Sequence, residues 1–170
     1  AWTWEHQALV RARCVAGDHS LCADFERVRE RALARRRDRD RLREDISGMR
    51  ARMRAELDRS QDGRFDLKHG AGGLTDLEFL LQYLVLWQAH VHPGLLVPRA
   101  TPALLDAAGA AGLLGPDCVE GLRDAHATLS GLALACSLDR RSRLVPDTAP
   151  LRTARAAIGE ACRAHGLVFD

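Results

Sequence analysis

The chain has 170 residues, of which 46% are hydrophobic, and its mean hydropathy is -0.21. This composition is enough for one domain with a real core, and it excludes a disordered chain. The 25 Lys and Arg residues nearly balance the 23 Asp and Glu residues, so charge alone indicates neither a nucleic-acid nor a membrane partner. The longest apolar stretch, residues 77–91, is interrupted by polar side chains and is shorter than the roughly 20 apolar residues of a membrane span.

Cysteine usage favours a reducing compartment, and a cytoplasmic location fits best. The cysteines are odd in number and contain no Cys-x-x-Cys pair, so neither a zinc site nor a redox couple is predicted. They are Cys14, Cys22, Cys118, Cys136 and Cys162. The chain opens at Ala1 with neither an initiator Met nor a charged leader, and we expect it to start inside a longer chain.

Helix signals recur along the first third of the chain, whereas strand signals do not. The first predicted helix covers residues 1–13, and the second covers residues 24–35 with Asp24 as its N-cap. The third covers about residues 40–59, where apolar residues recur at steps of three and four. The Asp-x-Asp at residues 38–40 lies in a charge run and is interpreted as capping for this third helix.

Four further helices are predicted, and together the helices indicate an all-α fold. They cover about residues 75–90, then 101–114 with Thr101 as N-cap, 116–138, and 150–165, which Gly166 ends. The expected architecture is a mainly antiparallel helical bundle from about residue 22 to the end of the chain.

An arginine-rich segment, residues 35–41 with the sequence RRRDRDR, joins the second and third helices. Residues 24–59 hold 13 Arg against nine Asp and Glu, and such runs can bind phosphate backbones. Acids are interleaved with the arginines, and Phe25 is the only aromatic residue in that span. A solvated, internally paired face is therefore favoured over nucleic-acid binding.

Residues 65–79, FDLKHGAGGLTDLEF, form the most informative segment. Thr75 and Glu78 match a capping box, and Leu74 with Phe79 matches a hydrophobic staple, which predicts that a helix starts at Thr75. Two carboxylates follow that start, Asp76 and Glu78, separated by roughly 200° around a helix, so they cannot readily chelate one metal ion.

The same segment combines glycines with a lysine ahead of a helix. Gly70, Gly72 and Gly73 follow Lys68, the one lysine of the chain, and a helix N-terminus behind such a loop can bind an anion. The spacing is not that of a Walker loop or a dinucleotide fingerprint, and a plain turn stays the alternative. His90 and His92 lie at a helix end without a carboxylate cluster, which favours a surface or packing role over a metal site.

Three stretches carry a family resemblance: WTWEHQALVRAR at residues 2–13, FDLKHGAGGLTDLEF at 65–79 and QYLVL at 82–86. They resemble the C-terminal part of glutamine synthetase adenylyltransferase, the bifunctional adenylylating and deadenylylating enzyme of bacterial nitrogen control. The second stretch also resembles PII uridylyltransferase. The resemblance covers essentially the whole chain and is specific in its first 95 residues. Cys14 stands where the family usually has a proline.

The resemblance implies a division of the chain. Residues 1–17 would be the tail of a nucleotidyltransferase catalytic domain, and residues 18–170 the helical domain that follows it. We expect the apolar residues of the tail, Trp2, Trp4, Leu9 and Val10, to be poorly buried in this chain. The Gly-Ser and Asp-x-Asp that bind Mg and ATP in the family would lie upstream, so no catalytic and no metal-binding residue is assigned to this chain.

The resemblance also implies sites and partners. Lys68, Gly70, Gly72, Gly73, Asp76 and Glu78 are candidates for contact with nucleotide, phosphate or a neighbouring domain. Candidates for interdomain contact alone are Trp2, Trp4, Glu5, Arg11 and Arg13. The implied partners are glutamine synthetase, the PII signal protein and the upstream catalytic domain, with no membrane and no nucleic acid. The alternative is a freestanding helical interaction module that binds RNA through the arginine-rich segment.

Overall fold

A computed structural model describes residues 3–169 as seven α-helices and one two-stranded sheet. The elements are α1 (Thr3–Arg11), α2 (His19–Leu33), α3 (Arg39–Leu57), β1 (Arg64–Asp66), α4 (Leu74–Gln88), α5 (Thr101–Ala110), α6 (Pro116–Leu138), β2 (Leu144–Pro146) and α7 (Ala149–Ala164). A 3-10 turn, Pro93–Leu96, lies between α4 and α5. The predicted all-α helical bundle is confirmed.

Helix α4 is the central element of the bundle. It contacts α1, α3, α5, α6 and α7, and most of its residues are buried, among them Leu77, Leu80 and Leu84. A helix that is surrounded on several sides is apolar around most of its circumference, which explains the nearly continuous apolar sequence of residues 79–86. Helices α6 and α7 pack along each other beside it.

The two strands were missed by the sequence analysis. β1 and β2 are antiparallel, with Phe65 opposite Val145 and Asp66 opposite Leu144. Each strand has three residues, too few to show the alternation that identifies a strand in a sequence. The pair fixes the chain directly ahead of the glycine-rich segment, residues 67–73, which joins β1 to α4.

The predicted start of the second helix is wrong. α2 begins at His19, and its N-cap is Asp18, whose carboxylate accepts hydrogen bonds from the N–H groups of Ser20 at 2.8 Å and Leu21 at 3.3 Å. Asp24 lies inside the helix. The first turn of α2 does not continue the buried stripe, since its Leu21 is 68% exposed, so periodicity placed the helix start too late.

Two further capping predictions have opposite outcomes. Asp38 caps α3, as predicted, by accepting the N–H of Arg41 at 2.8 Å. Thr101 is the first residue of α5 and not its N-cap, which is Ala100 without a side-chain cap. Pro102 in the first turn of α5 lacks the N–H that a cap would serve.

The apolar residues of the predicted tail, residues 1–17, were expected to be poorly buried, and this is confirmed for Trp4 and wrong for Val10. The side chain of Trp4 is 52% exposed, whereas Val10 is completely buried and Leu9 packs against the core. Trp2 lies outside the described residues. Helix α1 is therefore partly integrated into the bundle, through the side that bears Val10.

Cys14 and Cys22 form a disulfide, which the sequence analysis did not predict. The loop between α1 and α2 brings the two Cα atoms to 5.5 Å, although they lie eight positions apart in the sequence. Cys118, Cys136 and Cys162 are free thiols. No helix among residues 3–169 combines the length and the apolar character that crossing a membrane requires.

Candidate functional site

The carboxylate of Asp76 is the centre of a buried ion-pair network in the first turn of α4. Its Oδ1 accepts the Nε–H of Arg50 at 2.6 Å, and its Oδ2 accepts the Nη2–H of Arg54 at 2.8 Å. The N–H of Gly72 donates to Oδ2 as well, at 2.7 Å. Because both carboxylate oxygens are bound and the residue is 2% exposed, Asp76 is not available to a nucleotide or metal ion in this arrangement.

The two arginines extend the network beyond Asp76. Both lie on one face of α3, four residues apart. Arg50 also donates to the carbonyl oxygen of His69 at 2.7 Å, and Arg54 donates to that of Phe169 at 2.7 Å. Charge-assisted hydrogen bonds thereby join α3, the glycine-rich segment, α4 and the C-terminal residues.

The first amides of α4 are occupied by carbonyls of the preceding loop. The N–H of Leu74 donates to the carbonyl of Leu67 at 3.0 Å, and the N–H of Thr75 donates to that of Lys68 at 3.1 Å. A phosphate at a helix N-terminus needs such amides to be free. The geometry therefore favours the turn over the anion cradle, the two interpretations that the sequence left open.

The predicted capping box does not form. Helix α4 begins at Leu74 with Gly73 as its N-cap, so Thr75 lies inside the first turn. Its hydroxyl is buried, and within residues 3–169 it has no hydrogen-bond partner. Glu78 pairs with Arg11 of α1 instead. Carbonyl oxygens of the loop, and not the Thr75 hydroxyl, accept the hydrogen bonds of the first α4 amides.

Glycines are required here by close backbone packing. Gly72 has φ +77°, and a Cβ atom on it would lie 2.5 Å from the backbone oxygen of Arg155 in α7. A Cβ atom on Gly73 would lie 2.9 Å from the carbonyl oxygen of Gly70, and one on Gly70 would overlap the ring of Phe65. The three glycines thus let the loop fit between β1 and α7.

Lys68 differs from its neighbours because its side chain is exposed. The carboxylate of Asp66 accepts the N–H groups of Lys68 at 2.9 Å and His69 at 3.0 Å, which fixes the backbone of the turn. Burial lowers the pKa of His69, while the charge of Asp66 opposes this shift. Lys68 is therefore the charged side chain of the segment that can reach a group outside this chain.

The seam between α1 and α4 brings several predicted contact residues together. The Nε2–H of Gln7 donates to Oε1 of Gln82 at 2.8 Å, and Arg11 pairs with Glu78. Two candidates for interdomain contact, Arg11 and Glu78, thus contact each other. Among the others, Trp4 and Arg13 are exposed and Glu5 is partly buried.

A buried arginine holds the end of α1. Arg29 of α2 is 1% exposed and donates to the carbonyls of Leu9 at 2.7 Å, Val10 at 2.8 Å and Leu96 at 2.9 Å. Its guanidinium binds carbonyl oxygens at the C-terminal end of α1 and of the 3-10 turn, where intrahelical donors run out, and the oxygen of Leu9 also accepts the N–H of Ala12 at 3.3 Å. Helix α1 is consequently attached at this end through backbone atoms.

The residues of this region do not fit a magnesium ion. Among residues 3–169, no three His, Cys, Asp or Glu side chains lie together in a way that could hold a metal. The oxygens of Asp76 are bound by arginines, and Glu78 is paired with Arg11. Magnesium favours several free oxygen ligands, so no catalytic step is assigned to a metal here.

Sequence reasoning missed Arg50, Arg54 and Arg29. Ile46 is buried, and Arg50 and Arg54 follow it at steps of four, so all three lie on one face of α3. Two arginines on a core-facing side indicate a buried carboxylate partner. That signal was present, but it does not name the partner.

Comparisons with known proteins match the whole chain. The family model described as GlnD PII-uridylyltransferase matches residues 40–136, and the one described as glutamate-ammonia ligase adenylyltransferase matches residues 1–28. Three relatives are each named bifunctional glutamine synthetase adenylyltransferase/adenylyl-removing enzyme. That of Stenotrophomonas maltophilia K279a is 58% identical over 99% of this chain and 18% of its own length.

The other two relatives are less identical to this chain. The protein of Xanthomonas campestris pv. campestris B100 is 56% identical over 100% of this chain and 18% of its own length. That of Pseudomonas aeruginosa PAO1 is 41% identical over 85% of this chain and 16% of its own length. The chain therefore spans less than a fifth of the relatives that it matches.

Proposed function

This chain belongs to the GlnD PII-uridylyltransferase family, and from that membership we propose that it is the helical part of a bifunctional glutamine synthetase adenylyltransferase/adenylyl-removing enzyme. The parent protein would transfer AMP from ATP to a tyrosine of glutamine synthetase and would also remove it. The observation that carries the proposal is the 58% identity over 99% of the chain. The resemblance found in the sequence motifs is confirmed by these matches.

We propose that this part positions the catalytic domain of the parent and does not transfer AMP itself. The saturated carboxylate of Asp76 and the occupied amides of α4 support a structural role for the glycine-rich segment. ATP and magnesium would be held by the upstream nucleotidyltransferase domain. Lys68 would contact that domain or its bound nucleotide, and the exposed Trp4 and Arg13 would contact the domain itself.

The division at residue 17 is part of the same proposal. Residues 1–17 would continue from the catalytic domain, and α1 would connect it to the bundle through Gln7 and Arg11, which contact α4. The match to the adenylyltransferase family model extends to residue 28, within α2. We infer that α1 and the start of α2 form the face turned towards the catalytic domain.

Glutamine synthetase and the PII protein are the proposed partners of the parent, which would act in the cytoplasm. Glutamine synthetase appears in the names of the relatives, and PII appears in the description of the family model. The alternative, a freestanding RNA-binding module, is not supported, because matches over 99% of the chain are to enzymes that act on glutamine synthetase.

An AMP-transfer assay tests the proposal. Labelled ATP, magnesium and glutamine synthetase are incubated with the 170-residue chain alone and, in parallel, with the full parent protein. We expect label on glutamine synthetase only with the parent. Label with the chain alone would contradict the positioning role, and no label with a folded parent would contradict the assigned activity.

A further inference from the structure

An open groove of about 470 Å³ lies between α1, the turn that joins α2 to α3, and the first turns of α3. We call it the turn groove. Its lining includes four arginines from the arginine-rich segment, together with two residues of α1, Thr3 and His6. The four are Arg35, Arg36, Arg37 and Arg41. The proposed function uses none of these side chains.

Three of the four arginines are exposed and unpaired. Within residues 3–169, the guanidinium groups of Arg35, Arg36 and Arg41 have neither a carboxylate at ion-pair distance nor a hydrogen-bond acceptor. Other arginines of α2 and α3, such as Arg27 and Arg43, pair with nearby acids. The internally paired face that the charge pattern favoured is therefore not what forms at the turn.

The acids near the turn groove are engaged elsewhere. Asp38 accepts the backbone N–H of Arg41, and Asp45 accepts the hydroxyl of Thr3 at 2.7 Å. Asp40 pairs with Arg43 outside the lining. Four arginines against two aspartates leave the lining with an excess of two positive charges.

Arg37, the fourth arginine of the turn groove, reduces the negative electrostatic potential at the C-terminal end of α2. Arg37 donates to the carbonyls of Ala32 at 2.7 Å and Leu33 at 2.9 Å, which end α2. The partial negative charge of a helix C-terminus is thereby covered. Burial lowers the pKa of His6, and the charges of Arg37 and Arg35 lower it further, as a positive environment requires.

We propose that the turn groove binds an oligophosphate anion, either a free inorganic chain or the phosphates of a nucleoside di- or triphosphate. A guanidinium group can form two parallel, charge-assisted hydrogen bonds with phosphate oxygens. Three guanidinium groups without acidic partners around one groove therefore suit several adjacent phosphates. Apart from the small imidazole ring of His6, the described lining contains no aromatic side chain on which a base could stack, which disfavours single-stranded RNA. This site would be additional to the catalytic one of the proposed function.

Calorimetric titration of the 170-residue chain with tripolyphosphate at about 0.15 M salt tests the proposal. We expect one site per chain and binding at least about tenfold weaker in the double variant Arg36→Gln/Arg41→Gln. The control is Arg52→Gln, which removes an exposed charge from the same face of α3, about 16 Å along the helix from Arg41. We expect this control to change the affinity by less than about twofold, because the separation exceeds the Debye length.

ATP distinguishes the two sources of phosphate. Equal affinity for ATP and tripolyphosphate would show that the phosphates alone are recognised, whereas tighter binding of ATP would identify a nucleotide as the ligand. Both results support the site. If the double variant does not melt like the unmodified chain, the single variant Arg35→Gln replaces it.

Three outcomes would overturn the proposal. They are no binding of tripolyphosphate, equal weakening by Arg52→Gln, and binding of a short RNA in the absence of tripolyphosphate binding. The titration does not depend on AMP transfer. A titration without binding would therefore not contradict the proposed function, and a parent without AMP transfer would not contradict the anion site.

Discussion

Arg50 of α3 and Asp76 of α4 form a buried ion pair, with 2.6 Å between Nε and Oδ1 and side chains 0% and 3% exposed. Burying two charges costs desolvation energy, so such a pair adds little net stability when it is complete. Removing one partner leaves the other charge buried and unpaired. The pair therefore specifies how α3 and α4 pack, and its disruption is strongly unfavourable.

The first prediction concerns this pair. We expect Asp76→Asn to lower the free energy of unfolding by about 3–5 kcal/mol, because Arg50 keeps its buried charge without a counterion. Glu78→Gln is the matched control, since it removes a carboxylate two residues away whose pair with Arg11 is partly exposed. Its cost is at most about 1 kcal/mol. Urea unfolding of both variants checks this, and similar losses would show that the Asp76 network is not what holds α4.

The second prediction compares two glycines of positive φ. Gly72→Ala places a Cβ atom 2.5 Å from the backbone of Arg155, whereas Gly63→Ala meets no atom within 4 Å. Gly63 has φ +72° and Gly72 has φ +77°, so backbone strain of about 1 kcal/mol or more is common to both. We expect the clash to add about 1–3 kcal/mol at Gly72 alone. Equal melting temperatures for the two variants would contradict the close approach of the loop to α7.

Periodicity predicted the helices that bury a regular stripe. α3 and α6 were located closely because their apolar residues recur at steps of three and four over many turns. α2 was started too late because the apolar Leu21 of its first turn is exposed and does not continue the buried stripe. β1 and β2 were missed because each is three residues long and pairs with a segment far away in the chain. Local patterns cannot report such long-range pairing.

The candidate site was found only in part. The sequence identified Asp76 and the glycines, but the arginines that bind Asp76 come from another helix. The capping box at Thr75 and Glu78 matched the expected pattern and still did not form. Carbonyl oxygens of the preceding loop accept the hydrogen bonds of the first α4 amides, and Arg11 pairs with Glu78. Tertiary contacts thus replaced the local ones.

The third prediction concerns pH. Burial lowers the pKa of His165 below its ordinary value of 6.5, and the charge of Arg39 adds to this effect. Burial also lowers the pKa of His6, His69 and His126. Between 6.5 and these lower values the unfolded chain binds more protons than the folded one, so stability is complete above pH 6.5 and is lost as the pH falls. We expect a lower melting temperature at pH 5.5 than at pH 7.5.

A histidine variant isolates this effect. His165→Asn removes a titrating group from the partly buried end of α7, so we expect a smaller difference in melting temperature between the two pH values. His19→Gln is the control, because His19 is exposed in the first turn of α2 and should leave the difference unchanged. An unchanged difference in the His165 variant would exclude that histidine as a source of the pH dependence.

The last prediction concerns Lys68, the one lysine of a chain that is otherwise rich in arginine. Its backbone is fixed by Asp66 and Thr75, while its side chain is exposed, so Lys68→Ala is expected to cost at most about 1 kcal/mol of stability. In the parent enzyme we expect the same change to reduce AMP transfer much more than it reduces stability, and Lys68→Arg to restore only part, because a compact ammonium suits a single phosphate contact.

Arg143→Ala provides a matched control for the Lys68 variants. Arg143 is exposed, and its carbonyl oxygen accepts the N–H of Leu67 at 3.0 Å, so the variant removes a neighbouring charge without altering the glycine-rich segment. We expect this variant to transfer AMP normally. Steady-state AMP transfer and melting curves of all three variants test whether Lys68 acts in AMP transfer or only in stability. Full activity in Lys68→Ala, or a loss that unfolding explains, would leave Lys68 as a surface residue of a structural turn.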